Sequence, residues 1–201
     1  MLKPQDVVLL VKLVCKDKDD WSQAGLATEL VLSASEVNAG LKRLDRCGLI
    51  EPHKDGRRWQ VIKPALREFL LHGLAYVFPA EKGRPCMGIV TAYAHPGLHP
   101  HFSAEMQAVI PVWPERQAKT KGFTLKPLYP TVSKACQNDP ELHEWLALLD
   151  CLRDHDNSER EVAKVLLREK LAARKKVKAT GVSQQQQAAT LADQQLDLLV
   201  L

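Results

Sequence analysis

An amide and three cations stand at Asn38, Lys42, Arg43 and Arg46, inside a stretch whose apolar residues Val37, Leu41 and Leu44 repeat at helical spacing. On a helix that repeat turns Ser35, Asn38, Ala39, Lys42, Arg43 and Arg46 to the opposite, outer face. Such a face has a defined chemistry. An amide can pair bidentately with an adenine edge and a guanidinium with a guanine edge, while the remaining cations suit phosphate oxygens. Asn38 and Arg43 are therefore the candidate base-edge groups, and Lys42, Arg46, Arg57 and Arg58 the candidate phosphate ligands, with Lys54 close to the last two. Residues 34–63 carry a net charge of +3.

A second group with chemical potential is His95, His99 and His101, with Cys86 upstream. Imidazole nitrogen and thiolate are zinc donors. The spacing does not look helical, overlaps His-Pro turns and lacks a second convincing pair, so the expectation is surface histidines and no metal or other cofactor. No catalytic residues are assigned, because P-loop, G-x-G-x-x-G, G-x-S-x-G and H-E-x-x-H patterns are all missing from the sequence. The expectation is a protein that is not an enzyme.

The elements that would position the outer face can be read on either side of it. Ser22 is an N-cap for a short helix bearing Leu26, Ala27 and Leu30, and Val31-Leu32 turns the chain. Ser33 and Glu36 form a capping box for the helix that follows, and Gly48 stops it. Leu49–His53 and Arg58–Ile62 are candidate strands around Asp55-Gly56, a two-residue hairpin signal, with Pro52 restricting the first to an edge. Trp59 is read as an apolar plug of this hairpin against the core, with contact to the nucleic-acid backbone as the alternative.

Through Leu26-Ala27, Leu30, Ser33, Val37, Leu41, Leu44, Gly48-Leu49-Ile50 and Asp55-Gly56-Arg57, residues 1–78 resemble the winged helix-turn-helix domains of bacterial transcription regulators, broadly the MarR-like group. The pattern departs at Val31, where glycine is commonest, and at Gly40, a position usually apolar. The resemblance implies a helix laid in the major groove of double-stranded DNA, a wing on the backbone, and a repressor that dimerises.

Before the motif, Pro4–Cys15 is read as a core helix, with a buried strand as the alternative because of its β-branched residues. After it, Pro64 opens a helix over 65–78 whose wide apolar surface must bury two sides. Eight prolines and four glycines between Pro79 and Pro130 predict a loop-rich middle, with short strands at Met87–Tyr93 and Val109–Trp113 and an extended segment at Gly122–Pro130. Glu141–Arg153 reads as a helix, followed by a second from Ser158 with the stripe Val162, Val165, Leu166 and Leu171. Net charge is +5 over residues 157–178, a further phosphate contact or a solvated helix end. Residues 179–201 form a polar, glutamine-rich link and an apolar end at Leu196 and Leu198–Leu201.

The expected fold is mainly α with a small β-wing: a winged helix-turn-helix domain (1–78), a loop-rich segment with a C-terminal helix-loop-helix (79–178) for dimerisation or an effector or partner, and a tail (179–201). At 201 residues, 45% apolar and pI about 8.8, the chain can build a core and is only mildly basic, so any nucleic-acid contact must come from a local patch. It shows no run of 18 apolar residues and no signal-peptide pattern, which predicts a cytoplasmic protein without a membrane partner. Five scattered cysteines without C-x-x-C spacing read as reduced thiols. The alternative function is a non-enzymatic accessory protein, antitoxin-like or defence-associated, using the same domain or its C-terminal region to dock a protein partner.

Overall fold

Proline at the first turn and nine consecutive buried positions from Asp6 to Val14 make α1 (Pro4–Cys15) the central rod of the N-terminal half. In the computed structural model, which describes residues 1–16, 21–53, 58–103, 110–155 and 160–173, α1 packs against α2 (Gln23–Leu30), α3 (Ala34–Arg46) and the strand β2 described below. The shared core consists of Val7, Leu10, Leu26, Leu30, Val37, Leu41 and Leu44, none more than 1% exposed. Burying each such side chain contributes about 1.5–3 kcal/mol.

Ser22 caps α2 through its hydroxyl, which accepts the Gly25 N–H at 3.0 Å. The turn after it places Val31 in the left-handed region, at φ 55° and ψ 46°. A β-branched residue is strained there, since its Cβ crowds the neighbouring carbonyl by roughly 1–2 kcal/mol. Val31→Gly should therefore raise stability by about 0.5–1 kcal/mol after the greater freedom of glycine in the unfolded chain is subtracted. Thermal melting checks this, and an unchanged or lowered midpoint would show that the turn is not strained.

Gly40 has a different cause. A Cβ there would stand 2.9 Å from Leu9 Cδ2 and 3.1 Å from Asp6 Oδ1, so α1 approaches α3 only because the side chain is missing. Gly48 ends the segment at φ +67° with open space around it, the left-handed stop expected after Cys47. Strands β1 (Ile50–Pro52) and β2 (Trp59–Val61) then pair antiparallel, Pro52 opposite Trp59. The expected Asp55-Gly56 turn, with Lys54 and Arg57, lies outside the described residues. Trp59 is half-buried.

The expected helix over 65–78 is broken in the middle: α4 (Lys63–Glu68) passes through a π turn at Phe69–Gly73 into α5 (Leu74–Val77). The middle segment is more ordered than its proline content predicted. A nine-residue strand, β3 (Lys82–Val90), pairs antiparallel with both β4 (Pro111–Pro114) and β5 (Thr120–Leu125), and β4 and β5 pair in parallel, closing a three-stranded barrel. So tight a barrel requires glycine at its contacts. A Cβ on Gly88 would lie 2.2 Å from the Trp113 carbonyl oxygen, and one on Gly122 2.1 Å from that of Ile110.

Short α6 (Val132–Ala135) packs on α2. Helix α7 (Pro140–Arg153), capped by the Asp139 carboxylate on the Leu142 N–H at 3.0 Å, packs on α1 and α5. Its burial is nearly complete from Trp145 to Arg153. Asp150 and Arg153 fasten this helix to the barrel. Asp150 Oδ2 accepts from Thr91 Oγ1 at 2.8 Å and Trp113 Nε1 at 2.6 Å, and Oδ1 accepts from Arg153 at 2.6 Å. Arg153 also donates to the carbonyls of Phe78 and Pro79 at 2.8 and 3.2 Å.

Also on α7, His143 meets the Val90 carbonyl at 2.9 Å through Nε2. Burial holds its pKa below the ordinary 6.5, against the pull of that carbonyl and of Asp150. The unfolded chain thus binds a proton that the folded chain resists. Stability is complete above the unfolded value and falls as pH drops below it. The urea midpoint should decline on acidification through that window, and His143→Gln should flatten the decline; an equal pH response in the variant would remove His143 as the cause.

Met1–Lys164 forms one compact unit and Val165–Leu201 a second. The first therefore runs through residue 78, where the sequence suggested a boundary. In the second, residues 165–173 are helical. The basic residues at 174–178, the glutamine-rich link and the apolar end lie outside the described residues, as does Ser158. No helix among the described residues is long and apolar enough to cross a membrane.

Candidate nucleic-acid interface

Helix α3 separates its two faces cleanly. Val37, Leu41 and Leu44 are 1% exposed or less, whereas Ser35, Asn38, Lys42 and Arg46 are exposed and Ala39 is half-buried. The capping box forms as expected: Ser33 Oγ accepts the Glu36 N–H at 3.1 Å, and Glu36 Oε2 accepts the Ser33 N–H at 3.1 Å. The Ser35 hydroxyl lies 3.0 Å from that of Ser33. Glu36 is held below the usual carboxylate range, first by the Ser33 backbone N–H and then by its hydroxyl. Tyr129 reaches the same carboxylate, donating to Oε1 at 3.3 Å, which ties the extended segment before α6 to the first turn of α3.

Arg43 departs from expectation. Its guanidinium turns back toward α1 and forms a bidentate pair with Asp6, Nε to Oδ2 at 2.7 Å and Nη2 to Oδ1 at 2.6 Å. Asp6 is wholly buried and also accepts the Lys3 N–H at 2.8 Å, closing the N-terminal box of α1. The Asp6 hydrogen bonds raise the Arg43 pKa further, against a smaller effect of burial. An arginine so engaged braces α3 on α1. The guanidinium is thus turned away from the outer face expected from the helical pattern, where Asn38, Lys42 and Arg46 are exposed. Arg58, just before β2, is half-buried, and its carbonyl accepts the His53 N–H at 2.7 Å.

The histidines do not converge. His95 is buried, edge-on to His143 with ring centroids 4.4 Å apart, and its Nδ1 accepts the Gly97 N–H at 3.1 Å. His99 and His101 are exposed on a 3₁₀ turn, and Cys86 Sγ lies 3.1 Å from Thr124 Oγ1. Among the described residues no three His, Cys, Asp or Glu side chains gather as metal ligands.

One feature without a motif in the sequence is a polar cavity of about 840 Å³ beside the α2–α3 turn, whose lining includes Lys12, Lys16, Glu29, Val31, Lys134 and Asp139. Buried Lys12 bridges Glu29 and Asp139, each at 2.5 Å. Burial works to lower the Lys12 pKa, but the hydrogen bonds and charges of Asp139 and Glu29 outweigh it, and the net displacement is upward. The ammonium therefore stays charged and joins α1, α2 and the cap of α7.

Compared with protein-family models, curated proteins and solved structures, the chain finds no match.

Proposed function

We propose that the chain is a sequence-specific DNA-binding transcriptional regulator of the winged helix-turn-helix kind, a dimeric repressor that acts by binding and not by catalysis. The observation that carries this reading is the outer face of α3, where Ser35, Asn38, Lys42 and Arg46 are exposed on a helix fixed from behind by its apolar side and by the Arg43–Asp6 pair. A helix held this firmly can enter a major groove without paying much ordering entropy, and its polar groups match the donors and acceptors of base edges. Asn38 is assigned to an adenine edge and Lys42 and Arg46 to phosphates. The β1–β2 pair, with Arg58 at the end nearer its connecting turn, serves as the wing.

Electrophoretic retardation of the DNA upstream of the protein's own coding region tests the proposal. Specific retardation by the parent, lost in an Asn38→Ala, Lys42→Ala, Arg46→Ala variant that keeps its melting temperature, is expected. Equal retardation by parent and variant would remove α3 as the reader. No retardation by the parent, with a protein co-purifying through the α3 face, would favour protein docking.

A further inference from the structure

The turn between β4 and β5 and the start of β5 carry Arg116, Lys119 and Lys121, all exposed. Neighbouring cations on the barrel are neutralised: Lys82 pairs with Asp154 at 2.6 Å and Lys126 with Glu81 at 2.9 Å. No such salt bridge holds Arg116, Lys119 or Lys121 among the described residues. Backbone pairing fixes where these cations stand. Lys121 lies opposite Met87 in the β3–β5 register, the Glu115 N–H donates to the Met87 carbonyl at 3.1 Å, and the Ala118 N–H to the Glu115 carbonyl at 3.2 Å. The turn and the strand start that carry the three cations thus lie beside Met87 of β3, whose side chain is exposed.

This end of the barrel lies next to the α2–α3 turn. Glu115 and Gln117 share the cavity wall with Thr28, Glu29 and Val31, and exposed Lys134 of α6 lines the same cavity. Tyr129, just before α6, touches Glu36 in the first turn of α3. The basic barrel end therefore flanks the N-terminal end of α3, whereas β1 and β2 follow its C-terminal end.

A helix seated in a major groove has a phosphate backbone on each side, and charge is held there irrespective of sequence. We infer that Arg116, Lys119, Lys121 and Lys134 form a second phosphate-holding surface that extends the duplex contact past the N-terminal end of α3. This rests on the DNA-binding reading above. Sequence preference would remain with Asn38, and the barrel end would supply affinity and salt dependence.

The test is the salt dependence of binding by the full chain to a fluorescent duplex of random sequence. Replacing all four cations by alanine should flatten the slope of log K against log salt by about 3 to 4, since each phosphate contact contributes about 0.9. Lys82→Ala with Lys126→Ala, which removes two ion-paired cations from the same barrel, should leave the slope nearly unchanged. If the parent binds and the fourfold variant keeps the parental slope, this inference falls while the reading of α3 stands. If the parent fails to bind duplex at any salt, both fall. An unchanged slope with lost capture of a polyglutamate peptide would assign the patch to an acidic protein segment and overturn the inference.

Discussion

Asp150→Ala is expected to lower stability by about 3–5 kcal/mol, the range for removing one partner of a buried ion pair. Asp150 is 2% exposed and accepts from Thr91, Trp113 and Arg153, so its loss takes this acceptor from the Thr91 hydroxyl and the Trp113 N–H. The guanidinium of Arg153, itself 4% exposed, would keep its carbonyl partners but lose its counter-charge. Urea denaturation measures the change. Asp150→Leu combined with Arg153→Leu should lie well above the sum of the two single losses, because no uncompensated charge remains. A loss below about 1 kcal/mol in Asp150→Ala would show that water or local rearrangement replaces the carboxylate, and that α7 is not fastened to the barrel through it.

Arg43→Ala should have the second largest effect, a loss on the order of 3 kcal/mol, because it strands the wholly buried Asp6 carboxylate with only the Lys3 N–H as partner. The expectation is discounted within the usual range, since the Arg43 side chain is 19% exposed and solvent can reach part of the pair. Asp6→Ala should lose a comparable amount and also weaken the cap of α1. By contrast, Lys42→Ala and Arg46→Ala change exposed positions and should stay within about 0.5 kcal/mol of the parent. This contrast matters for any binding experiment. Retardation lost in Arg43→Ala would reflect a weakened α1–α3 joint as readily as a lost base contact, whereas loss in Lys42→Ala or Arg46→Ala at unchanged stability would report on the surface itself. A stable Arg43→Ala protein would contradict the bracing role of the pair.

The N-terminal third was legible because its signals are local. Ser22, Ser33, Glu36 and Gly48 act through backbone groups within a few residues, and the apolar stripe of α3 needs only helical spacing to be read. What escaped the reading depends on partners far along the chain. The outward assignment of Arg43 followed from its helix angle, yet Asp6 lies 37 residues away and captures it. Gly40 was the available signal: a glycine in the middle of a helix, beside an arginine, marks a close approach, and an aspartate within the apolar run of α1 was its complement.

The same applies to α7, where Asp150 interrupts an apolar run and stands three residues before Arg153. In the middle segment, proline density argued for loops, but Pro85 and Pro111 lie within strands of a small closed barrel. Closure depends on Gly88 and Gly122 meeting carbonyls that only the fold brings near. The π turn at Phe69–Gly73 likewise leaves no mark in the apolar pattern of its helix.

Selection of duplexes from a random pool by the full chain should enrich one motif, present as two inverted half-sites about one helical turn apart, with preference at one position per half-site relaxed by roughly 1–3 kcal/mol in Asn38→Ala. A pool that stays unenriched, or an identical motif recovered by parent and by the Asn38→Ala, Lys42→Ala, Arg46→Ala protein, would contradict the reading of sequence by α3.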